Sequence, residues 1–369
     1  MNAGQRLRAT YEFKPLDHLV RKEFHFWDET IARWKREGLP EDYQQKNLFH
    51  FDPGTGAGTG VNLGWMDPPF LPVFECKRIK DEGATEVIQD GAGRWQRIFK
   101  GQSGYTFMPD FIKHPVTCLK DWEEVVAPRL DPESPARYGE LAAACAKAAR
   151  LAREEERMVG QPVIGGYMYL RSLMGPEELL VAFYDQPDLI HAMMRRWVEL
   201  ANAALTRIQA HVELDQISLG EDICYNHGPL ISPDMIREFL LPYYQEVVGG
   251  ARARQKRRLY LFVDSDGWVE PIIPLYVEAG MDVMTPFEVA SGCDVVEIGR
   301  KWPDLVLEGG IDKRVLAAGP DAIERRLQHI LPAMVKRGGY IPTCDHGVPD
   351  DVSLENYRYY RRRVCEMDH

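Results

Sequence analysis

The sequence predicts a parallel α/β protein, and three observations predict it. From Pro162 to the C-terminus, short apolar runs alternate with long helical stretches. The runs, such as PVIGGYM and LYLFV, have the continuous hydrophobicity of strands covered on both faces. Acidic, aromatic and basic residues follow them, where parallel folds carry their functional side chains. This alternation fits a closed barrel and a doubly wound open sheet equally well, and no Gly-x-Gly-x-x-Gly follows a strand to favour a dinucleotide fold.

The elements follow in order. Val20, Phe24, Phe26, Trp27, Ile31 and Trp34 recur at helical spacing, which predicts an amphipathic helix from Val20 to Trp34 that ends near Gly38. Residues 51–70, FDPGTGAGTGVNLGWMDPPF, have no period and read as an irregular lid or rim loop. Their Gly run lacks the Gly-Lys-Ser/Thr ending of a phosphate cradle. A helical segment spans Asp131 to Arg157. PVIGGYM then precedes a helix around Glu177 to His211, and DQISLG precedes one that opens at Ser232-Pro233, an N-cap followed by proline in the first turn. Leu259 to Val263 leads to a helix near Val269 to Ala279. MDVMTPF and LVLEGG lead to helices near Asp294 to Lys301 and Asp321 to Arg337. Gly339 to Thr343 leads to the last helix, capped by Ser353. The basic run RARQKRR, Arg252 to Arg258, reads as a solvated helix end.

Composition narrows the function classes. The chain has 369 residues, with 56 acidic against 45 basic side chains and a formal charge of -11, a sign that repels phosphate backbones and anionic lipid heads. Nucleic-acid and membrane partners are not expected. No run reaches the roughly 18 apolar residues of a bilayer helix, and MNAGQRLRATYEF lacks a signal peptide's apolar block, so a cytoplasmic location is expected. Seven cysteines without a CxxC pair argue for reduced thiols, most of them buried.

The strand ends carry Tyr167, Tyr169 and Arg171; Glu221, Asp222, Tyr225 and Asn226; Asp264 and Asp266; Glu288; Asp312 and Lys313; and Asp345 and His346. Acids gathered at one opening repel one another unless a cation, arginine, lysine or raised pKa values compensate, which marks a functional pocket. Helix capping competes with function at Asp312, whereas Asp264 and Asp266 together exceed what a cap needs. His346, in a turn before Gly347-Val348-Pro349, could be ligand, base or donor, while His191, His211 and His329 lie inside helical stretches. His227 is a loop residue and a second candidate.

With these residues in view, GGIDKRVLAAG and GGYIPTCDHGVPDDVSLENYRYY resemble the C-terminal end of uroporphyrinogen decarboxylase-like proteins. GEDICYNHGPLISPDMIREFLLPYY and LMGPEELLVAFYDQPDLI resemble segments upstream. The resemblance implies a single-domain (β/α)8 TIM-like barrel, with residues 1–110 as an N-terminal helical and loop extension and rim, and residues 111–369 as the main barrel. It also implies either decarboxylation without a cofactor or zinc-dependent methyl transfer involving thiols and corrinoid proteins. The decarboxylases' Arg-Gln-Ala-Gly-Arg-Tyr motif, which grips substrate carboxylates, is replaced here by RKEFHFWDETIARW.

The methyltransferases' His-x-Cys and final Cys fall on Asp264, Asp266 and His346. This O, O, N set, with Glu221 as fourth ligand or outer acid, would suit zinc, iron or manganese as a Lewis acid toward a methoxy oxygen rather than a thiol. The resemblance therefore points to a methyltransferase that acts on a small methoxylated substrate, with a corrinoid on a partner protein and no covalently bound cofactor. A second copy of the chain could cover part of the mouth as a homodimer. A metal-free lyase is the alternative, with Asp264 or Asp266 as acid, Tyr167 as hydrogen-bond donor, His346 orienting the substrate, and Arg171 or Lys313 binding a carboxylate. A non-catalytic tetrapyrrole or corrinoid carrier lined by Tyr167, Tyr169, Tyr225 and Trp268 is the third possibility.

Overall fold

The computed structural model describes residues 1–101 and 109–369. The Gly- and Pro-rich stretch expected to be wholly irregular contains a strand, β1 (Gly56–Gly58). Four strands then form a separate antiparallel sheet: β2 (Lys77–Asp81), β3 (Thr85–Gln89), β4 (Trp95–Phe99) and β5 (Asp110–Lys113). The predicted apolar runs follow as β6 (Met158–Ile164) and β7 (Gln216–Gly220), a small hairpin of β8 (Cys224–Tyr225) and β9 (Gly228–Pro229), then β10 (Tyr260–Asp264), β11 (Met281–Thr285), β12 (Val306–Glu308) and β13 (Tyr340–Ile341). Among the described residues, seven strands make one curled parallel sheet in the order β1-β6-β7-β10-β11-β12-β13, with helices between them. That order selects the barrel over the doubly wound alternative, because successive strands are neighbours with no reversal.

Alternation along the strands separates two packing layers. Met158, Tyr260, Val283, Val306 and Ile341 pack together with Leu7, Tyr11 and Val20 inside the sheet. The intervening Val159, Leu261, Met284 and Leu307 join the large core under the helices. Leu7 and Tyr11 belong to the helix Ala3–Tyr11. Since Met158, Tyr260 and Val306 begin their strands, this helix plugs the amino end of the barrel, with the Tyr11 ring edge-on to Tyr260 at 5.1 Å.

The helix expected over Val20 to Trp34 is a correction: only Asp28–Arg36 is helical, with Asp28 and Glu29 in its first turn. Residues 19–27 are extended because their backbone groups find partners across the molecule. Leu19 N–H donates to the Asp368 carbonyl at 3.0 Å, the Arg21 carbonyl accepts from Asp52 at 2.7 Å, and the His25 carbonyl accepts from Val348 at 2.9 Å. Phe26 also forms a parallel bridge with Val348. This strap joins the chain just before β1 to the chain just after β13, and so closes the seam between the two sheet edges. Residues from the first 110 thus supply both β1 and the strap, a larger share of the barrel than a rim.

Other boundaries shift for local reasons. The Asp131–Arg157 segment splits at Gly139 into a 3-10 turn over Pro135–Tyr138 and a helix over Leu141–Glu154. Gly166-Tyr167-Met168 opens the helix Gly166–Met174 instead of extending β6. β13 stops before Pro342, which has no N–H to donate to a ladder. Ser232 and Ser353 cap their helices as expected, accepting from Met235 and Asn356 at 3.2 Å. All seven cysteines are free, four of them buried. No helix among the described residues is long and apolar enough to cross a membrane.

Candidate active site at the barrel mouth

The last residue of β10 is Asp264, two positions beyond Phe262 and four beyond Tyr260, so alternation turns it into the barrel. Burial pushes its carboxyl well above the usual carboxylate range. Asp266, Asp222 and Glu308 push it further, and Lys22 opposes them. Two residues on, Asp266 Oδ2 lies 3.3 Å from His346 Nε2 in the turn after β13. That hydrogen bond raises the His346 pKa, against burial and the nearby Lys313 ammonium. The structure therefore brings Asp264, Asp266 and His346 to one mouth.

Asp222 is the acid from β7 that joins them. It takes a left-handed φ of 45°, which Asp tolerates better than most residues, and Arg171 Nη1 stands 3.8 Å from its carboxylate. Burial and the Asp266 charge raise its pKa. The strap contributes residues that the sequence pattern did not assign to the site. Trp27 stacks on His346 at 5.8 Å with 21° between the planes, and the Phe24 and His25 rings lie 5.5 and 5.7 Å away. Gly347 permits this approach, since a Cβ there would fall 2.3 Å from His25 Nε2. Burial, followed by the charge on His346, lowers the His25 pKa. Lys22 reaches inside to Glu308, the last residue of β12, with Nζ to Oε1 at 2.6 Å. Glu308 was missed because it sits within the apolar run LVLEGG rather than after it.

Several expected site residues serve other purposes. Glu221 faces outward between Gly220 and Asp222. Its Oε1 accepts from the hydroxyls of Tyr244 at 2.6 Å and Tyr276 at 2.8 Å and from Tyr167 N–H at 3.1 Å. Burial pushes its carboxyl up to about 7. It is a buried tie between sheet and helices, and its expected place beside Asp264 is a correction. Tyr169 is likewise turned away, buried near Arg196 and Glu199 of the helix Pro187–Gln209. Asp312 caps the helix Lys313–Ala318, accepting from Arg314 N–H at 2.9 Å and pairing with its guanidinium at 2.8 Å. Those bonds hold its carboxyl below the usual range against the opposing effect of burial. Asp345 receives the N–H groups of Val289 and Lys313 at 2.9 Å and shapes the His346 turn.

The remaining candidates border the mouth. Glu288 accepts from Gly267 N–H at 3.0 Å and lies 3.4 Å from Lys313 Nζ, which orders the loop after Asp266. Tyr167 is buried, and burial pushes its hydroxyl up to about 12. Tyr225 and Asn226 are exposed on the β8–β9 hairpin, where Asn226 Oδ1 meets the His227 ring at 2.7 Å. Trp268 N–H donates to the Tyr225 carbonyl at 2.8 Å, which ties that hairpin to the Asp266 loop.

The same geometry tests the metal expectation. Among the described residues, no group of three or more His, Cys, Asp or Glu side chains is arranged to hold a metal ion. Asp266 and His346 bond to each other, and Glu221 is turned to the other side of the sheet wall, where its Oε1 is held by Tyr244 and Tyr276. The four proposed ligands do not form a coordination set in this arrangement.

Together these features define a parallel α/β barrel whose carboxyl-end mouth gathers a buried acid, an Asp–His pair and an aromatic face. The sequence model of the uroporphyrinogen decarboxylase (URO-D) family matches residues 103–367, and the chain belongs to that family. It is 25% identical over 270 residues to the uroporphyrinogen decarboxylase of Psychromonas ingrahamii, covering 69% of this chain and 71% of that one. To the enzyme of Alcanivorax borkumensis it is 27% identical over 194 residues, half of each chain, so the chain spans about half the length of that relative. Among solved structures it resembles a methyltransferase from Methanosarcina mazei, with a TM-score of 0.62 and 15% identity over 99% of both chains. This likeness shows the fold.

Proposed function

We propose that this chain is a URO-D-family methyltransferase that moves a methyl group from a small methoxylated substrate to a corrinoid protein, with Asp264 as the proton donor. The observation that carries the proposal is the Asp264 carboxyl, held well above the usual range inside the mouth and beside the Asp266–His346 pair. A neutral acid in a partly dry site delivers a proton to an oxygen that leaves with its electron pair. As the methyl–oxygen bond breaks, its electrons stay on oxygen and the Asp264 proton converts that oxygen to a hydroxyl, while a reduced corrinoid on the partner protein would supply the electron pair of the new bond to the methyl and be oxidised by two electrons. In this reading the Asp266–His346 pair, whose Asp266 charge acts on Asp264, returns the proton to the carboxylate, and Trp27 and Phe24 offer a face for a flat substrate. The name of the Methanosarcina mazei protein supports a transferred methyl.

The second reading, a decarboxylase-like lyase, is favoured by the names of the curated relatives and by Arg171 at the rim. The same acid would then protonate carbon as carbon dioxide leaves. The test is to incubate the protein with a reduced corrinoid protein and a panel of methyl ethers, following methylated corrinoid by its absorption, and separately to assay carboxylated substrates for carbon dioxide release. Ether-dependent methylation that is lost in Asp264→Asn supports transfer. Carbon dioxide release without methylation replaces it with the lyase.

A further inference from the structure

Beyond Asp264, the barrel interior holds a polar layer that the described residues satisfy only in part. In the sheet register Asp264 pairs with Thr285, and Met284 with Leu307, which puts Thr285 beside Glu308. Tyr260, Val283 and Val306 precede these three residues by four or two positions and all belong to the inner cluster, so Asp264, Thr285 and Glu308 face inward as one layer. Val20 belongs to that cluster too, and Lys22, two residues later, completes the layer through its ion pair with Glu308 Oε1 at 2.6 Å. Thr285 and Glu308 are 1% and 2% exposed, yet Thr285 Oγ1 and Glu308 Oε2 have no hydrogen-bond partner among the described residues. A buried acceptor and hydroxyl left open in this way carry a free-energy cost that a bound group removes.

We infer that this layer is a substrate subsite for a hydroxyl group next to the reacting one. A hydroxyl fits because it donates and accepts at once: it gives its proton to Glu308 Oε2 and receives one from Thr285 Oγ1 or from the Lys22 ammonium. A capped or apolar substituent would leave Glu308 Oε2 unsatisfied. Thr285 and Asp264 lie one strand apart, about 4.8 Å. The group held at Thr285 and the oxygen reached by Asp264 therefore sit on neighbouring atoms of a compact substrate. The substrate class is a small molecule with a free hydroxyl beside its methoxy group, which rests on the methyl-transfer reading above.

The experiment measures binding without turnover, by calorimetry on the purified full chain. The probes are guaiacol, whose ring bears neighbouring hydroxyl and methoxy groups, and veratrole, in which a methyl caps the hydroxyl. The wild type should prefer guaiacol by about tenfold or more, the usual worth of a hydrogen bond to a charged acceptor. Thr285→Val, which removes a hydroxyl with no partner among the described residues, and Glu308→Gln should each cut the preference to about threefold or less. Equal affinities, no binding of either probe at millimolar concentration, or a preference unchanged in both variants would overturn the subsite. Absence of methyl transfer with the preference intact would instead remove the reading under Proposed function and leave the subsite standing.

Discussion

His346 Nε2 lies 3.3 Å from Asp266 Oδ2, and this contact holds the imidazole pKa above its ordinary value while burial and Lys313 work against it. In Asp266→Asn the opposing influences remain, so the His346 midpoint, followed by NMR, should fall below that of the wild type. A group whose folded pKa is raised stabilises fully below its unfolded value, about 6.5, and loses that contribution as pH rises through the folded value. The melting-temperature gap between wild type and variant should therefore be widest near pH 6 and narrow toward pH 8. A gap that widens with pH would contradict the pairing.

Asp264→Asn removes the proton donor while it keeps the neutral shape that the buried site already favours. Activity should fall by about two orders of magnitude or more, the usual contribution of a positioned acid. Thermal stability at pH 7 should hold or rise, because a carboxyl whose folded pKa lies above its unfolded value destabilises the fold once pH exceeds the unfolded value. A variant that melts well below the wild type at pH 7 would show that the ionised carboxylate is structural.

Glu221 behaves as a structural tie. Glu221→Ala should cost about 2–4 kcal/mol by chemical denaturation, since it strands two buried tyrosine hydroxyls and the Tyr167 N–H. Glu221→Gln should stay within about 1 kcal/mol of wild type at acid pH, because the amide oxygen still accepts those bonds. With its folded pKa raised from 4.5 to about 7, the carboxyl costs the wild type stability across that window and no more above it. The wild type should thus lose ground to Glu221→Gln between pH 4.5 and 7 and then run parallel, and parallel curves throughout would rule out the assignment. Gly165→Ala tests the same tie from the other side, since its Cβ would fall 1.9 Å from Glu221 Oε2 and 2.7 Å from the Gly220 carbonyl. It should fail to fold stably.

The donor arrangement also predicts the result of elemental analysis. Protein offered zinc, iron or manganese and then desalted should retain well under one equivalent, because Asp266 and His346 bond to each other, Glu221 is turned away to Tyr244 and Tyr276, and no three donors among the described residues are arranged to hold an ion. One equivalent retained by wild type and lost in both Asp264→Asn and His346→Ala would restore the metal reading.

The alternation from Pro162 onward made the strands legible, since buried parallel strands must be apolar, and the acids after LYLFV and YIPTC were readable because a strand end is where function sits. Three things were hidden for physical reasons. The strap resembles a helix because Phe24, Trp27, Ile31 and Trp34 keep a helical period across a segment whose first half is held extended by Asp52 and by Val348 and Asp368, the latter two more than three hundred positions away. Strands β2 and β5 are mostly exposed and β3 and β4 half-buried on both faces, so none of them shows a hydrophobic period. Glu221 and Asp222 are adjacent, and only the register of β7 decides which one faces the mouth.

The strap also sets an order of assembly. Residues 19–27 leave the ribosome long before Val348 and Asp368, the groups that receive their backbone hydrogen bonds or donate to them. The stave carrying Lys22, His25 and Trp27 can bond early only through Arg21 to Asp52, and its two ends must wait until nearly the whole chain has been synthesised. Closure across so long a separation is slow. The site is the last part of the molecule to come into existence, so a chain shortened before His346 would lack both the imidazole and the latch that holds the strap in place.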